Sequence, residues 1–517
     1  MLRVFQNDIL NPDHFVITLE LVPGREATGR SVEVVKQIAL DAFNDGRVSA
    51  ITITDNPGGN PSLGPDILGH DIFRIGMDVI VHFTCRDTNR LGMESRALNL
   101  AMLGMKNILA LTGDYVSKGF GGQGAPVFDL GSVHLQILLA MLTQRINASG
   151  DPDGFFAGCA VSPFKYTEAE SFAQYAKLCR KVAAGAQFII TQLGYDVRKF
   201  EELLLLQHRL NIALPTLGSV YYLTPTVARI MNSGKVPGVF VTDELLKTVI
   251  NEWQDKSFGR KAAIERAARL GAILKGLGYR GIHIGGIHCE FSIVAQILDR
   301  MEAISHRWES FRPYFQFAPA NKFYAFPQKK QGEQHQPTYG LTLKPLPLVE
   351  KLLFKVLRKS HDLFFRFEAP LAPFYQKISS QLDQNSIGRF AIEMGENTIK
   401  RLLLNCQRCG DCAIQHVGFI CPESGCPKHL RNGACGGSHN GFCEVYPKRR
   451  CVWYRAYQRL ASVNSINELS MGCIPPKMWE LNQTSSWLNF HLHRDHQSSS
   501  SAMTTFCRSR HCQIIPD

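Results

Sequence analysis

One pattern governs residues 1–300: a short β-branched apolar run, then a helical segment, repeated about every thirty residues. The runs are FVITLEL (15–21), VSAITIT (48–54), DVIVHFT (78–84), KNILALT (106–112), FFAGCAV (155–161), QFIITQL (187–193), NIALPTL (211–217) and GIHIGG (281–286). Between them lie segments such as RSVEVVKQIALDAFNDG and EAESFAQYAKLCRKVAAG, with apolar residues at helical spacing and a closing glycine. Strand–helix alternation builds right-handed βαβ units and a parallel sheet. Eight runs and eight helices fit a closed (β/α)8 barrel better than an open doubly wound sheet, and the first βα turn lacks G-x-G-x-x-G. The expected fold class is α/β: a TIM barrel over 1–305, then a smaller cysteine-rich metal-binding domain.

In such barrels the chemistry sits at the C-terminal ends of the strands. Those ends carry Glu20, Thr54, His82, Thr84, Asp114, Ser162, Gln192, Gly218 and Gly286. Glu20 stands out, because a carboxylate between apolar strand residues is costly to bury unless it is paired or protonated.

No run of about 18 uncharged apolar residues appears, which predicts no membrane span. The N-terminal MLRVFQNDILNPDHF lacks the apolar core of a signal peptide, which points to the cytoplasm. The net charge is +12, and residues 401–517 hold thirteen Lys+Arg against seven Asp+Glu. No nucleic-acid-binding signature accompanies that charge, so it reads as a basic surface offsetting a thiolate-bound cofactor.

The pattern changes after residue 305. A Pro- and aromatic-rich stretch over 306–345 reads as a linker. The helices LPLVEKLLFKVLRKSHDLFFRF and SIGRFAIEMGENTIKRLLL open a second domain over 346–472, where they read as core helices. Residues 473–517, polar and containing His491, His493 and His496, read as a disordered tail.

Eight of the chain's 15 cysteines fall between 406 and 451. Without an export signal, a disulfide framework is not the expected reading, and metal binding leads. Cys406, Cys409 and Cys412 form C-x2-C-x2-C, while Cys421 and Cys426 each precede proline. That arrangement resembles the ferredoxin run that presents thiolates to one four-iron cluster, although the gap from Cys412 to Cys421 is longer. Cys435, Cys443 and Cys451 complete eight ligands, enough for two [4Fe-4S] clusters or for one cluster with a zinc.

The barrel resembles methylenetetrahydrofolate reductase in ITLELVPGR, ITITDNPGG, IVHFTCRD, GMKNILALTGD and KLCRKVAAGAQFIITQ. The cysteine-rich end resembles the C-terminal domain found with such reductases, in CPKHLRNGACGG and CEVYPKRRCVW. The resemblance implies reduction of 5,10-methylenetetrahydrofolate to 5-methyltetrahydrofolate in one-carbon metabolism and methionine supply. It implies a flavin, FAD with FMN as the alternative, and NAD(P)H or a redox partner protein as donor. Glu20 matches the catalytic acid, and a raised pKa from apolar shielding would let it donate a proton near neutral pH. Asp114 matches the acid beside flavin and pterin, and Gln192 the amide that binds the pterin. Thr54, His82, Lys177, Arg180 and Lys181 match flavin contacts, with Phe128 and Asp129 around the adenosine half. Homo-oligomerisation, no nucleic acid and no membrane complete the expectation.

Departures from the resemblance keep other readings open. LVPG follows the acid, Thr112 replaces an arginine, and GSVYYLTPT (218–226) alters the strand-seven loop. A barrel fed by a partner through the cysteine domain is one alternative, and an inactive barrel serving assembly is another.

Overall fold

The structure, a computed structural model, describes residues 4–327, 337–340, 345–498 and 514. The remaining parts of the expected linker and tail lie outside the described residues. Eight parallel strands close a barrel: β1 (Val16–Leu21), β2 (Ala50–Ile53), β3 (Val79–Thr84), β4 (Asn107–Leu111), β5 (Phe156–Val161), β6 (Phe188–Thr191), β7 (Thr216–Tyr221) and β8 (Gly281–Gly285). Closure pairs β1 with β8, with Thr18 opposite His283.

Seven of the eight strands fall within the expected runs. The seventh does not: it begins at Thr216, not near Asn211. Asn211 takes a positive φ of 52°, ending the turn after the preceding helix, and Pro215 stands just before the first strand residue. Gly218 therefore lies inside β7, where a Cβ would come within 2.6 Å of Leu274. The strand's functional end moves to Tyr221.

The N-terminal end of the barrel is sealed by apolar packing. Phe5, on the short helix α1 (Val4–Leu10), meets the rings of Phe156 and Phe188 at centroid distances of 6.0 and 5.2 Å. Val16, Ala50, Ile80, Leu109, Ile190 and Leu217 complete this floor. Gly158 is required there, because a Cβ would collide with Phe188. Burying each large side chain contributes about 1.5–3 kcal/mol, and the closed floor leaves the opposite end for chemistry.

The chain divides into two compact units. The first holds Met1–Val127, Leu138–Thr167 and Gly185–Thr338, and the second Phe128–Ile137, Glu168–Ala184 and Tyr339–Asp517. The cysteine-bearing unit thus includes α6 (Glu168–Ala183), the helix following β5 in sequence. Within this unit Phe172 stacks on Tyr457 at 5.6 Å, and Tyr457 Oη donates to Glu168 at 2.7 Å.

The expected second-domain helices form as α12 (Leu348–Phe364) and α14 (Ser386–Leu404), with α13 (Ala372–Gln384) between them. They are not apolar core helices. Leu348 is 85 % and Leu402 81 % exposed, whereas α14 buries Glu396 and Lys400. Residues 473–498, expected in a disordered tail, instead include α17 (Ser486–His491), with Leu488, Phe490, His491 and His496 buried. Among the described residues no helix is long and apolar enough to cross a membrane.

Candidate active site and cysteine centres

Above its apolar floor the barrel turns polar. Thr18, Thr52, His82, Thr191, Ser219 and His283 are all buried. Glu20, near the end of β1, faces this layer. Its Oε2 lies 3.6 Å from His283 Nε2, and the other ring nitrogen, Nδ1, lies 2.9 Å from Thr18 Oγ1. Burial pushes the Glu20 carboxyl up, but the contact with His283 and the nearby His82 and His288 outweigh it. The net direction is down, which corrects the expectation of a raised pKa. Apolar neighbours in the sequence did not reveal three histidines contributed by other strands and loops.

Burial pushes His82 down to about 4. Among the described residues, its Nε2 and the Thr54 Oγ1 are buried without a hydrogen-bond partner. Asp55, beside Thr54, instead accepts from Thr84 Oγ1 at 2.9 Å and from Arg96 at 2.8 Å. Asp114, after β4, accepts from the Gly58 N–H at 3.0 Å. Gln192 Oε1 accepts from the Leu193 N–H at 2.9 Å, and its Nε2 contacts Pro237 O at 3.5 Å. Glu20 and His82 therefore meet in one electrostatic cluster, while Asp114 and Gln192 hold separate loops and form no hydrogen bond to Glu20.

A cavity of about 460 Å³ opens between the exit of β1, α2 (Arg30–Asp45) and the loop after β8; on β1 it is lined by Leu21, which points to the face of the strand opposite Glu20. Leu21, Val35 and Ile287 form apolar walls, with Arg30 and His288 among the polar lining.

The other expected flavin positions belong to the cysteine-bearing unit. Arg180, 1 % exposed, donates to Met471 O at 3.2 Å and lies 5.8 Å from the Trp453 ring. A Cβ on Gly433 would sit 2.7 Å from Lys177 Cβ, and Lys181 is buried. Lys428 Nζ lies 5.7 Å from the Phe128 ring, and Trp479 Nε1 donates to Asp129 at 2.7 Å.

The eight cysteines separate into two tetrads. Cys406, Cys409, Cys412 and Cys421 line one small cavity, so Cys421 joins the tandem three despite the longer gap. Cys426, Cys435, Cys443 and Cys451 form the second set: Cys443 lies close enough to Cys426, and Cys426 and Cys435 close enough to Cys451, that an ionised neighbour would push each thiol up. Burial above all pushes the Cys409 and Cys435 thiols up to about 12. Backbone N–H groups of Arg408 and Gly437 reach Cys406 Sγ and Cys435 Sγ, each at 3.4 Å. Lys400 lies beside the first tetrad. Burial alone would lower its pKa, but Cys412, Glu396 and Cys406 raise it well above the usual range.

Among the described residues, the ligating atoms found converging within 4.8 Å are those of Asp411, Asp495 and His496. Asp411 is already occupied by Arg431 at 2.7 Å and His496 Nδ1 at 2.5 Å. Sequence reasoning missed His283, Lys400 and Asp411. A polar residue between isoleucines in GIHIGG was the same signal that singled out Glu20 in ITLEL.

Residues 6–302 match the family described as methylenetetrahydrofolate reductase, and residues 389–480 match "methylene-tetrahydrofolate reductase C terminal". A Caenorhabditis elegans protein named probable methylenetetrahydrofolate reductase (NADPH) is 24% identical over 295 residues, 51% of this chain and 42% of that one. Methylenetetrahydrofolate reductase 1 of Schizosaccharomyces pombe is 25% identical over 258 residues, 50% of this chain and 41% of that one. The chain thus spans less than half the length of these curated relatives. A solved Clostridium thermocellum protein, described as binding two copies of 5-methyl-5,6,7,8-tetrahydrofolic acid, is 14% identical with a TM-score of 0.39. That match covers 59% of this chain and 99% of the other.

Proposed function

Because the chain belongs to the methylenetetrahydrofolate reductase family, we propose that it reduces 5,10-methylenetetrahydrofolate to 5-methyltetrahydrofolate at the mouth of its barrel. The observation that carries this reading is Glu20, an acid at the end of β1 held among His283, His82 and His288 in the polar layer of the barrel. The substrate's five-membered ring must open before carbon accepts hydride, and protonation of the leaving nitrogen drives that opening. Glu20 supplies this proton. Asp114 stabilises the resulting cation, and Gln192 turns outward from its own loop to bind the pterin.

Thr54 Oγ1 and His82 Nε2, buried and unpartnered among the described residues, fit the polar edge of a flavin ring. Bound there, a flavin supplies the hydride. The residues expected around the adenosine half are engaged by the chain's own C-terminal segment, since Trp479 Nε1 donates to Asp129 and Lys428 lies 5.7 Å from the Phe128 ring. FMN therefore suits this chain better than FAD.

The cysteine tetrads suit iron–sulfur clusters. Zinc with Zn–S bonds of about 2.3 Å would draw its sulfurs to within about 4 Å of one another. No three cysteine sulfurs among the described residues converge within 4.8 Å. Two tetrads also favour a second reading, in which electrons enter from a partner protein instead of NAD(P)H. Anaerobic purification, flavin and iron assays, and reduction by NAD(P)H test the account. Flavin reduced by NAD(P)H and reoxidised by methylenetetrahydrofolate supports it. Reduction only by a low-potential donor favours the partner, and absence of flavin refutes both.

A further inference from the structure

Glu20 held below the ordinary carboxylate range at neutral pH is a poor proton donor by itself. Its neighbour resolves the difficulty. His283 stands on β8 directly opposite Thr18 of β1, and both are buried. Thr18 Oγ1 contacts the Ile282 carbonyl at 3.4 Å and His283 Nδ1 at 2.9 Å. A hydroxyl has one hydrogen. If Thr18 donates it to His283 Nδ1, the neutral ring carries its proton on Nε2; if Thr18 donates to Ile282 O, it accepts from Nδ1–H and the ring's second, exchangeable proton sits on Nε2. Nε2 is the atom facing Glu20, at 3.6 Å. In both arrangements an N–H on Nε2 faces the Glu20 carboxylate, so one proton lies between the two groups.

We propose that His283 is the proton-supplying partner of Glu20, with Thr18 as the residue that fixes the imidazole's orientation. The inference rests on the folate reaction proposed above. In each turnover His283 Nε2 passes its proton to the Glu20 carboxylate, which passes it to the substrate's leaving nitrogen. The C–N bond breaks and its electron pair takes up that proton. His283 is left neutral and is reprotonated from solvent. The contact at 3.6 Å is longer than a hydrogen bond, and such contacts tighten when substrate excludes water. His283 acts through Glu20 and is a positioning residue. The other titratable groups facing the pair are His82 from β3, His288 from the loop after β8 and Tyr221 from β7. His82 is pushed down to about 4 and is neutral at pH 7, so it cannot replace His283 as the donor.

The test is the rate at which methylenetetrahydrofolate reoxidises the reduced full-length protein, measured across pH. With His283→Ala the rate should fall about 10-fold or more at pH 8 and much less at pH 6, because Glu20 must then collect its proton from bulk solvent. Added imidazole should restore part of the loss. Thr18→Val, which keeps the strand's shape, should move the profile in the same direction. A loss equal at every pH, with no rescue by imidazole, overturns the proposal. A second readout does not depend on turnover. The ¹⁵N signals of His283 in histidine-labelled protein should differ between wild type and Glu20→Gln at pH 7. Identical signals would overturn the shared proton even if folate reduction stands. A wild type that is not reoxidised, yet shows the NMR difference, places the failure in the proposed reaction.

Discussion

Lys400 Nζ lies 2.9 Å from Glu396 Oε1 within α14, and this charged pair is buried while much of the helix's apolar stripe faces solvent. Glu396 also accepts from the hydroxyls of Ser485, at 2.5 Å, and Ser486, at 2.7 Å, which ties α14 to the start of α17. Removing one charge leaves the other buried without compensation. Lys400→Met should therefore cost about 3–5 kcal/mol in denaturant unfolding, and the double change with Glu396→Met should recover much of that loss. A double variant no more stable than the single one would contradict this role.

The flavin released on heat denaturation should be FMN. Arg180→Ala should leave flavin retention unchanged, since its Nη2 donates to Met471 O and its guanidinium lies 5.8 Å from the Trp453 ring. Chromatographic recovery of FAD, or loss of flavin in the Arg180 variant, would show that the cation reaches the cofactor.

Two tetrads predict two independent centres. Cys409→Ala and Cys435→Ala should each keep about half of the wild-type iron, measured per polypeptide with the visible absorbance. Loss of all iron in both variants would point to a single centre. Zinc in place of iron would refute the cluster assignment.

His491 stacks near Phe365 at 5.5 Å and Tyr375 at 5.8 Å, and burial pushes it down to about 4. Between pH 6.5 and about 4 the unfolded chain binds a proton that the folded chain resists, so stability falls as pH falls through that window. His491→Phe keeps the stacking and removes the titration. It should reduce the acid-induced loss by about 1–2 kcal/mol after allowance for solvent screening, as read from melting at pH 7 and pH 4.5. Equal losses in both proteins would contradict the assignment.

The barrel was legible because its strands are near-continuous apolar runs with a fixed spacing, a signal that survives without contacts. The seventh strand escaped because NIALPTL looks more strand-like than TLGSVY, while Pro215 and the left-handed Asn211 decide the start. Glu20 could be found from its place in ITLEL. Its protonation could not, because His283 is 263 positions away and comes into contact only when the barrel closes between β1 and β8. The apolar spacing of α14 correctly gave a helix but the wrong buried face. A lysine–glutamate pair beside thiols stabilises its position through charge, which periodicity does not register. The cysteine spacing likewise gave eight ligands without their division into two fours.

The most direct test of the central claim is a stopped-flow comparison of wild type with Glu20→Gln, with each half-reaction observed separately. Both proteins should show the same rate of flavin reduction by the electron donor. Methylenetetrahydrofolate should then reoxidise the wild type, and the variant about 10²–10⁴-fold more slowly. Equal reoxidation of the two, or loss of both half-reactions in the variant, would contradict the role of Glu20 as the acid of a folate-reducing barrel.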